Sequence, residues 1–225
     1  MERDNVYAGK LMRIERQIHH YGSGLNALPL MSQFESDPSD LYLLRVAMGG
    51  AAGPLTNVDE GGFAAASFHS FADTLAWDGY SGDYGPNFVG LSLNQRTTLI
   101  QHPDFGWQAF NGHITSQSGG NIAVEVRDAV RRRIFIAPLA VRFEADAGAF
   151  DSFTFNPKTR SVTLTILPKP SGVADAIAAP TARVLTATTT SGGVSLRPSK
   201  TLKQDAGAFM IPFVNGKATV TFVPS

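Results

Sequence analysis

Apolar and polar positions follow two different rhythms along this chain. From Asn5 to Tyr21 the residues Tyr7, Leu11, Ile14, Ile18 and Tyr21 recur at three- and four-residue spacing, with Lys10, Arg13, Arg16 and Gln17 between them. That spacing predicts an amphipathic helix ended by Gly22 and Gly24. A second apolar stretch, Leu25 to Phe34, is interrupted by Pro29. Asp37-Pro38-Ser39-Asp40 then offers helix-start chemistry ahead of Leu41 to Val46, with a stop at Gly49-Gly50. The expectation is a helical lead-in over residues 1–56, followed by a second domain over residues 57–225.

Past Gly61-Gly62 the texture changes to short runs of Phe, Val, Ile, Leu and Thr, divided by Gly, Pro, Asn and Asp. Strands are predicted at Phe63 to Phe71, Asn87 to Leu93, Thr97 to Gln101, Ile122 to Val126, Arg133 to Glu144, Ser161 to Leu167, Arg183 to Thr188, Ala208 to Val214 and Lys217 to Phe222. Strict alternation over Ser161–Ile166 assigns Val162, Leu164 and Ile166 to a core and Ser161, Thr163 and Thr165 to solvent. Asn215-Gly216 is the clearest turn signal, because both central positions of a type I′ turn need positive φ, and two terminal strands should pair across it. The stretch from Pro168 to Pro180 has the composition of an exposed connection. With many short strands, no βαβ rhythm and helices at one end only, the predicted fold is mainly β: an antiparallel β-sandwich with a short N-terminal helical segment.

Composition narrows the function. The 225 residues carry 19 Lys plus Arg against 19 Asp plus Glu, so the formal net charge is +0. The broad positive field of a nucleic-acid or anionic-membrane binder is absent, and neither partner is expected. Charged residues make up only 17% of the chain, fewer than is usual, which points to surface covered by something else. With Cys at 0, disulfides, thiolate zinc sites and a cysteine nucleophile are excluded. The start, Met1-Glu2-Arg3-Asp4, leads into no apolar signal segment.

One window concentrates chemistry. Between Asn57 and Asn87 the residues Asp59, Glu60, His69, Asp73, Trp77, Asp78, Tyr80, Asp83, Tyr84 and Asn87 are interleaved with glycines. Aromatics beside carboxylates suit a sugar, which offers an apolar ring face for stacking and hydroxyls for charged acceptors. Trp77, Tyr80 and Tyr84 are the stacking candidates, with His69 and Asn87 beside them as further substrate contacts. Asp59, Asp78 and Asp83 are the candidates for catalysis, which in a glycosidase needs two carboxyls roughly 5 to 10 Å apart. The competing reading is a structured loop in which Asp and Asn hold turns and the aromatics anchor it. His69, Asp73, Asp78 and Asp83 match no established metal spacing, and no cofactor is implied. Elsewhere, His19-His20 suits the end of the first helix, His102 to Trp107 a tight connection between strands, and Arg131-Arg132-Arg133 a solvated edge. No phosphate loop or nucleophile elbow occurs.

Several segments, in order, resemble a family of uncharacterised domains from the C-terminal half of large secreted bacterial and fungal proteins. They are Leu41–Val46, Gly53-Pro54-Leu55-Thr56-Asn57, Phe68-His69-Ser70, Trp77–Phe88 and Phe105-Gly106-Trp107. The resemblance runs from about Arg13 to Leu167, and Trp77–Phe88 is its most specific part. It implies a carbohydrate-active architecture in which a helical toroid is followed by a β-sandwich, an extracellular setting, and an oligo- or polysaccharide partner. The resulting expectation is a glycan-acting or glycan-binding module of a glycoside hydrolase-like protein. The alternative is a noncatalytic sandwich that packs on a catalytic domain, or on another copy, through its N-terminal helices.

Overall fold

The computed structural model describes residues 4–7, 10–13, 22–52, 96–128, 130–168 and 181–225. The chain divides into two compact units, one of residues 1–34 and 40–94 and one of residues 35–39 and 95–225.

The first unit opens with a hairpin, β1 (Asp4–Tyr7) against β2 (Lys10–Arg13), in the register Tyr7↔Lys10. This corrects the helix expected from Asn5 onward. Gly9 falls inside that window and is costly in a helix, while β-branched Val6 favours extended chain. His19-His20 lies outside the described residues. Two helices follow, α1 (Gly22–Ser36) and α2 (Leu41–Ala52). Gly22 and Gly24 therefore begin a helix rather than end one. Pro29 lies inside α1, where its missing N–H and ring cost about 3 kcal/mol in a helix interior. The buried stripe Ala27, Met31 and Phe34 runs past it at helical spacing and offsets that cost. Asp40 caps α2 by accepting the Leu43 N–H at 2.9 Å. Glycine weakens a helix without forbidding it, so α2 continues past Gly49-Gly50 and buries Leu44, Ala47 and Ala51.

The second unit is the predicted sandwich. Its seven-stranded sheet contains β3 (Thr97–His102), β4 (Gly106–Phe110), β7 (Arg133–Ile136), β8 (Val141–Ala147), β11 (Thr181–Thr188), β13 (Gln204–Asp205) and β14 (Ala208–Pro212), in the order β13-β14-β11-β8-β7-β3-β4. Its six-stranded sheet contains β5 (Gly112–Ser118), β6 (Asn121–Val126), β9 (Ala149–Asn156), β10 (Ser161–Leu167), β12 (Leu196–Pro198) and β15 (Ala218–Pro224), in the order β12-β15-β10-β9-β6-β5. Every pairing among these strands is antiparallel except β3 with β7. The inner faces meet in one core. Phe143 of β8 and Phe209 of β14 both pack on Phe222 of β15, with ring centroids 5.2 and 5.6 Å apart. Trp107 of β4 meets Phe155 of β9 edge-on at 5.6 Å. As the alternation predicts, Val162, Leu164 and Ile166 are fully buried. On β9 a bulge at Asp151, where Thr165 pairs with Ser152 and Ile166 with Phe150, puts Phe150 and Phe153 on the same face despite their odd spacing.

The chain crosses repeatedly between the sheets, and left-handed residues mark several crossings. Asn111 (φ 53°) joins β4 to β5, Gly148 (φ 92°) joins β8 to β9, and Asn215-Gly216 (φ 51° and 76°) joins β14 to β15. The Asn-Gly turn forms, with Val214 and Lys217 bonded both ways at 2.8 and 3.1 Å. The strands it joins then diverge into opposite sheets instead of pairing. Pro212, which has no N–H, closes the β14 ladder beside the turn. The run Arg133 to Glu144 likewise divides into β7 and β8 around a 3-10 turn, Ala137–Leu139, with Ala140 at φ 51°. Arg131-Arg132-Arg133 is no solvated edge. It is a half-buried corner in which the Arg132 guanidinium donates to the Ala145 carbonyl at 2.9 Å and Arg133 pairs with Glu144 at 3.0 Å. His102 to Trp107 is the tight connection expected: His102 Nδ1 accepts the Asp104 N–H at 3.1 Å, and Gly106 takes φ 67°. Residues 169–180 lie outside the described residues.

At Gly148 a β-carbon would stand 2.7 Å from Ile166 Cγ2 and 3.2 Å from the Leu167 carbonyl, at a φ that disfavours any side chain. Gly148→Ala should therefore lower stability by about 2 kcal/mol or more, read as a shift of the urea midpoint. Gly192→Ala, with nothing within 4 Å of its β-carbon position, should leave that midpoint in place.

Candidate functional site

The residues singled out for sugar chemistry, Asp59, His69, Trp77, Asp78, Tyr80, Asp83, Tyr84 and Asn87, all fall within residues 53–95, outside the described residues. Phe63 to Phe71 and Asn87 to Leu93, read as strands, fall there too. The described chemistry is concentrated where residue 96 enters the sandwich.

Arg96 precedes β3 and is buried, with 7% of its surface exposed. A guanidinium in such a place must find an anion, and it does: Arg96 Nη1 donates to Glu35 Oε1, while Arg142 Nη1 donates to Glu35 Oε2 at 2.9 Å. Glu35 is itself only 4% exposed. Its backbone carbonyl accepts the Thr189 hydroxyl at 2.6 Å. Glu144 extends the network, bonding Arg133 at 3.0 Å and lying 4.0 Å from Arg142 Nε. Strand alternation explains the grouping, because Arg142 and Glu144 point away from the core that Val141, Phe143 and Ala145 enter. Burial pushes the Arg96 pKa down from its ordinary value, and the charge and hydrogen bond of Glu35 oppose that shift. Three arginines and two glutamates make up this network. They fix the Glu35 to Ser39 segment against the outer face of the seven-stranded sheet.

A second polar knot lies at the corner between β6 and β7. Asp128 is 3% exposed, and its Oδ1 accepts the backbone N–H of Val130 at 3.1 Å and that of Arg131 at 2.5 Å. Thr97 Oγ1 lies 3.0 Å from Asp128 Oδ2 and 2.9 Å from the Asn111 carbonyl. A hydroxyl has one proton to give, so both contacts are satisfied when Asp128 itself carries a proton. The environment agrees: burial raises the Asp128 pKa, against the pull of its backbone bonds, Thr97 and Arg131. Neither knot was visible in the sequence, since Glu35 lies 61 and 107 positions from its two arginines and Thr97 lies 31 from Asp128.

Residues 3–221 match the family of unknown function DUF5695. The chain belongs to that family. No curated protein and no solved structure matches it. The DUF5695 match takes in the helices, the Asn57 to Asn87 window and the sandwich together. Among the described residues no three His, Cys, Asp or Glu side chains converge, and no helix is long and apolar enough to cross a membrane.

Two outcomes follow for the buried charges. Glu35→Ala leaves Arg96 without its carboxylate and should cost about 3–5 kcal/mol in chemical denaturation, with Glu35→Gln milder because it keeps an acceptor. The folded chain binds the Asp128 proton more tightly than the unfolded chain does. That contribution to stability is therefore full below about pH 3.9, the ordinary carboxyl value, and is lost as pH rises through the raised folded value. Asp128→Asn should flatten this slope, seen in urea midpoints taken across the acid to neutral range.

Proposed function

We propose that this chain is a glycan-recognising module of a polysaccharide-degrading, glycoside hydrolase-like protein working outside the cell. In this reading the sandwich is a rigid frame and the Asn57 to Asn87 window makes the saccharide contacts. The observation that carries it is the alternation of Trp77, Tyr80 and Tyr84 with Asp78 and Asp83, an order of stacking faces and charged acceptors that suits a pyranose ring. His69 and Asn87 are further candidate saccharide contacts in the same window. If the module also cleaves its ligand, proton donation and nucleophilic attack fall to Asp59, Asp78 and Asp83, the carboxylates of the same window. The likeness of Trp77–Phe88 to domains that follow a helical toroid in secreted proteins supports both the setting and the substrate class.

A second reading, a noncatalytic sandwich that packs on a partner, draws on α2. There Tyr42 and Val46 stand one turn apart and are 73% and 42% exposed.

The deciding measurement is saccharide binding on a glycan array, with reducing-sugar release assayed on every ligand bound. Asp78→Ala and Asp83→Ala should each abolish binding while changing stability by no more than about 0.5 kcal/mol, as for surface positions. Loss of binding together with loss of the fold would mark these residues as turn-holding groups. Silence on the array would favour the packing role.

A further inference from the structure

The dipeptide Asn-Gly occurs twice in this chain, at Asn111-Gly112 and at Asn215-Gly216. Both asparagines hold a left-handed φ, 53° and 51°, and both lie where the chain passes from one sheet to the other. A glycine after asparagine carries no side chain to shield its backbone nitrogen, so that nitrogen can reach the asparagine's own side-chain amide carbon. The chemistry open to the two sites is therefore the same, and only their surroundings differ.

At Asn111 both reacting groups are held. The side-chain Nδ2 donates to the Arg96 carbonyl at 3.0 Å. The backbone carbonyl of Asn111, part of the peptide that would have to turn, accepts the Thr97 hydroxyl at 2.9 Å and the Arg127 N–H at 2.9 Å. Gly112 is closely packed as well: a β-carbon there would stand 2.7 Å from Thr97 Cγ2 and 3.0 Å from Val124 Cγ1. At Asn215 the reverse holds. Val214, Asn215, Gly216 and Lys217 are all exposed. Among the described residues no hydrogen bond reaches the Asn215 side chain or the Gly216 N–H, and a β-carbon at Gly216 would meet nothing within 4 Å. The turn is held shut by the two bonds between Val214 and Lys217, at 2.8 and 3.1 Å. An exposed pair of this kind opens locally while the core stays folded.

We propose that Asn215 is a site of spontaneous, water-driven deamidation to aspartate and isoaspartate, and that the fold spares Asn111. The Gly216 nitrogen loses its proton and bonds to Asn215 Cγ, the Cγ–Nδ2 bond breaks, and the side-chain nitrogen leaves with that proton as ammonia. Water then opens the five-membered imide. Attack at Cγ restores the ordinary backbone with an aspartate. Attack at the backbone carbonyl carbon sends the chain through Cβ and Cγ instead, which lengthens it by one methylene. The net change is one water in and one ammonia out. A type I′ turn has two central residues of fixed length and φ, so the isoaspartyl form loses the double bond between Val214 and Lys217 at the entry to β15.

The test is incubation of the whole chain at mildly alkaline pH, native and in urea, followed by peptide mapping with mass spectrometry that separates aspartyl from isoaspartyl products. In the native chain Asn215 should convert faster than Asn111 by about tenfold or more, the ratio that one hydrogen bond at the upper end of its net strength gives. In urea the two sites should convert at similar rates. The inference is overturned if native Asn215 yields no acidic product, if native Asn111 converts as fast as Asn215, or if the same difference persists in urea, which would assign it to neighbouring residues and not to the fold. The purified isoaspartyl form should melt below the parent chain, and Asn215→Asp, which keeps the backbone length, should melt close to it. Equal melting of all three would overturn the loss of the turn.

Discussion

The second unit depends on burying one face of each sheet against the other. Phe143, Phe150, Phe153, Phe155 and Phe222 fill the space between them with essentially no exposed surface. Such a core forms only if every strand keeps its pleat in phase with the interior, so a single extra residue must be absorbed locally. The bulge at Asp151 does this, and matching register shifts interrupt β5 against β6 and β8 against β11. The left-handed corners serve the same end. A chain that switches sheets must reverse within one or two residues, and Asn111, Gly148 and Asn215-Gly216 take the φ values that allow it.

Charge is arranged around this core according to what the core leaves over. The outward positions of β7 and β8 carry Arg133, Arg142 and Glu144, and buried Arg96 and Glu35 meet them there, so the network satisfies groups that cannot reach water. Arg197 and Lys200 are placed the other way, in solvent and without acidic neighbours.

What the sequence made legible follows the same division. Strands with one buried face, such as Ser161–Leu167, print their period directly on the chain. Gly106–Phe110 and Gly112–Ser118 went unread because these edge strands bury few side chains and so carry little alternation. Ala149–Asn156 was missed because its bulge breaks the period. Asn215-Gly216 specified the turn but not its partner sheet, since turn chemistry is local and sheet membership is not. The window from Asn57 to Asn87 was legible through its composition alone. The Glu35 network joins residues 61 and 107 positions apart, so no local pattern could announce it.

Strand order also bears on when this unit can fold. β15, the last strand, does not lie at an edge of its sheet; it stands between β12 and β10 and sends Ala218, Val220 and Phe222 into the core. During synthesis, which proceeds at about 5–20 residues per second, β10 must wait with one side unpaired until residue 224 has been made. Over that interval an apolar face and an open strand edge are both exposed, so this unit stays open to misassociation until β15 inserts between β12 and β10.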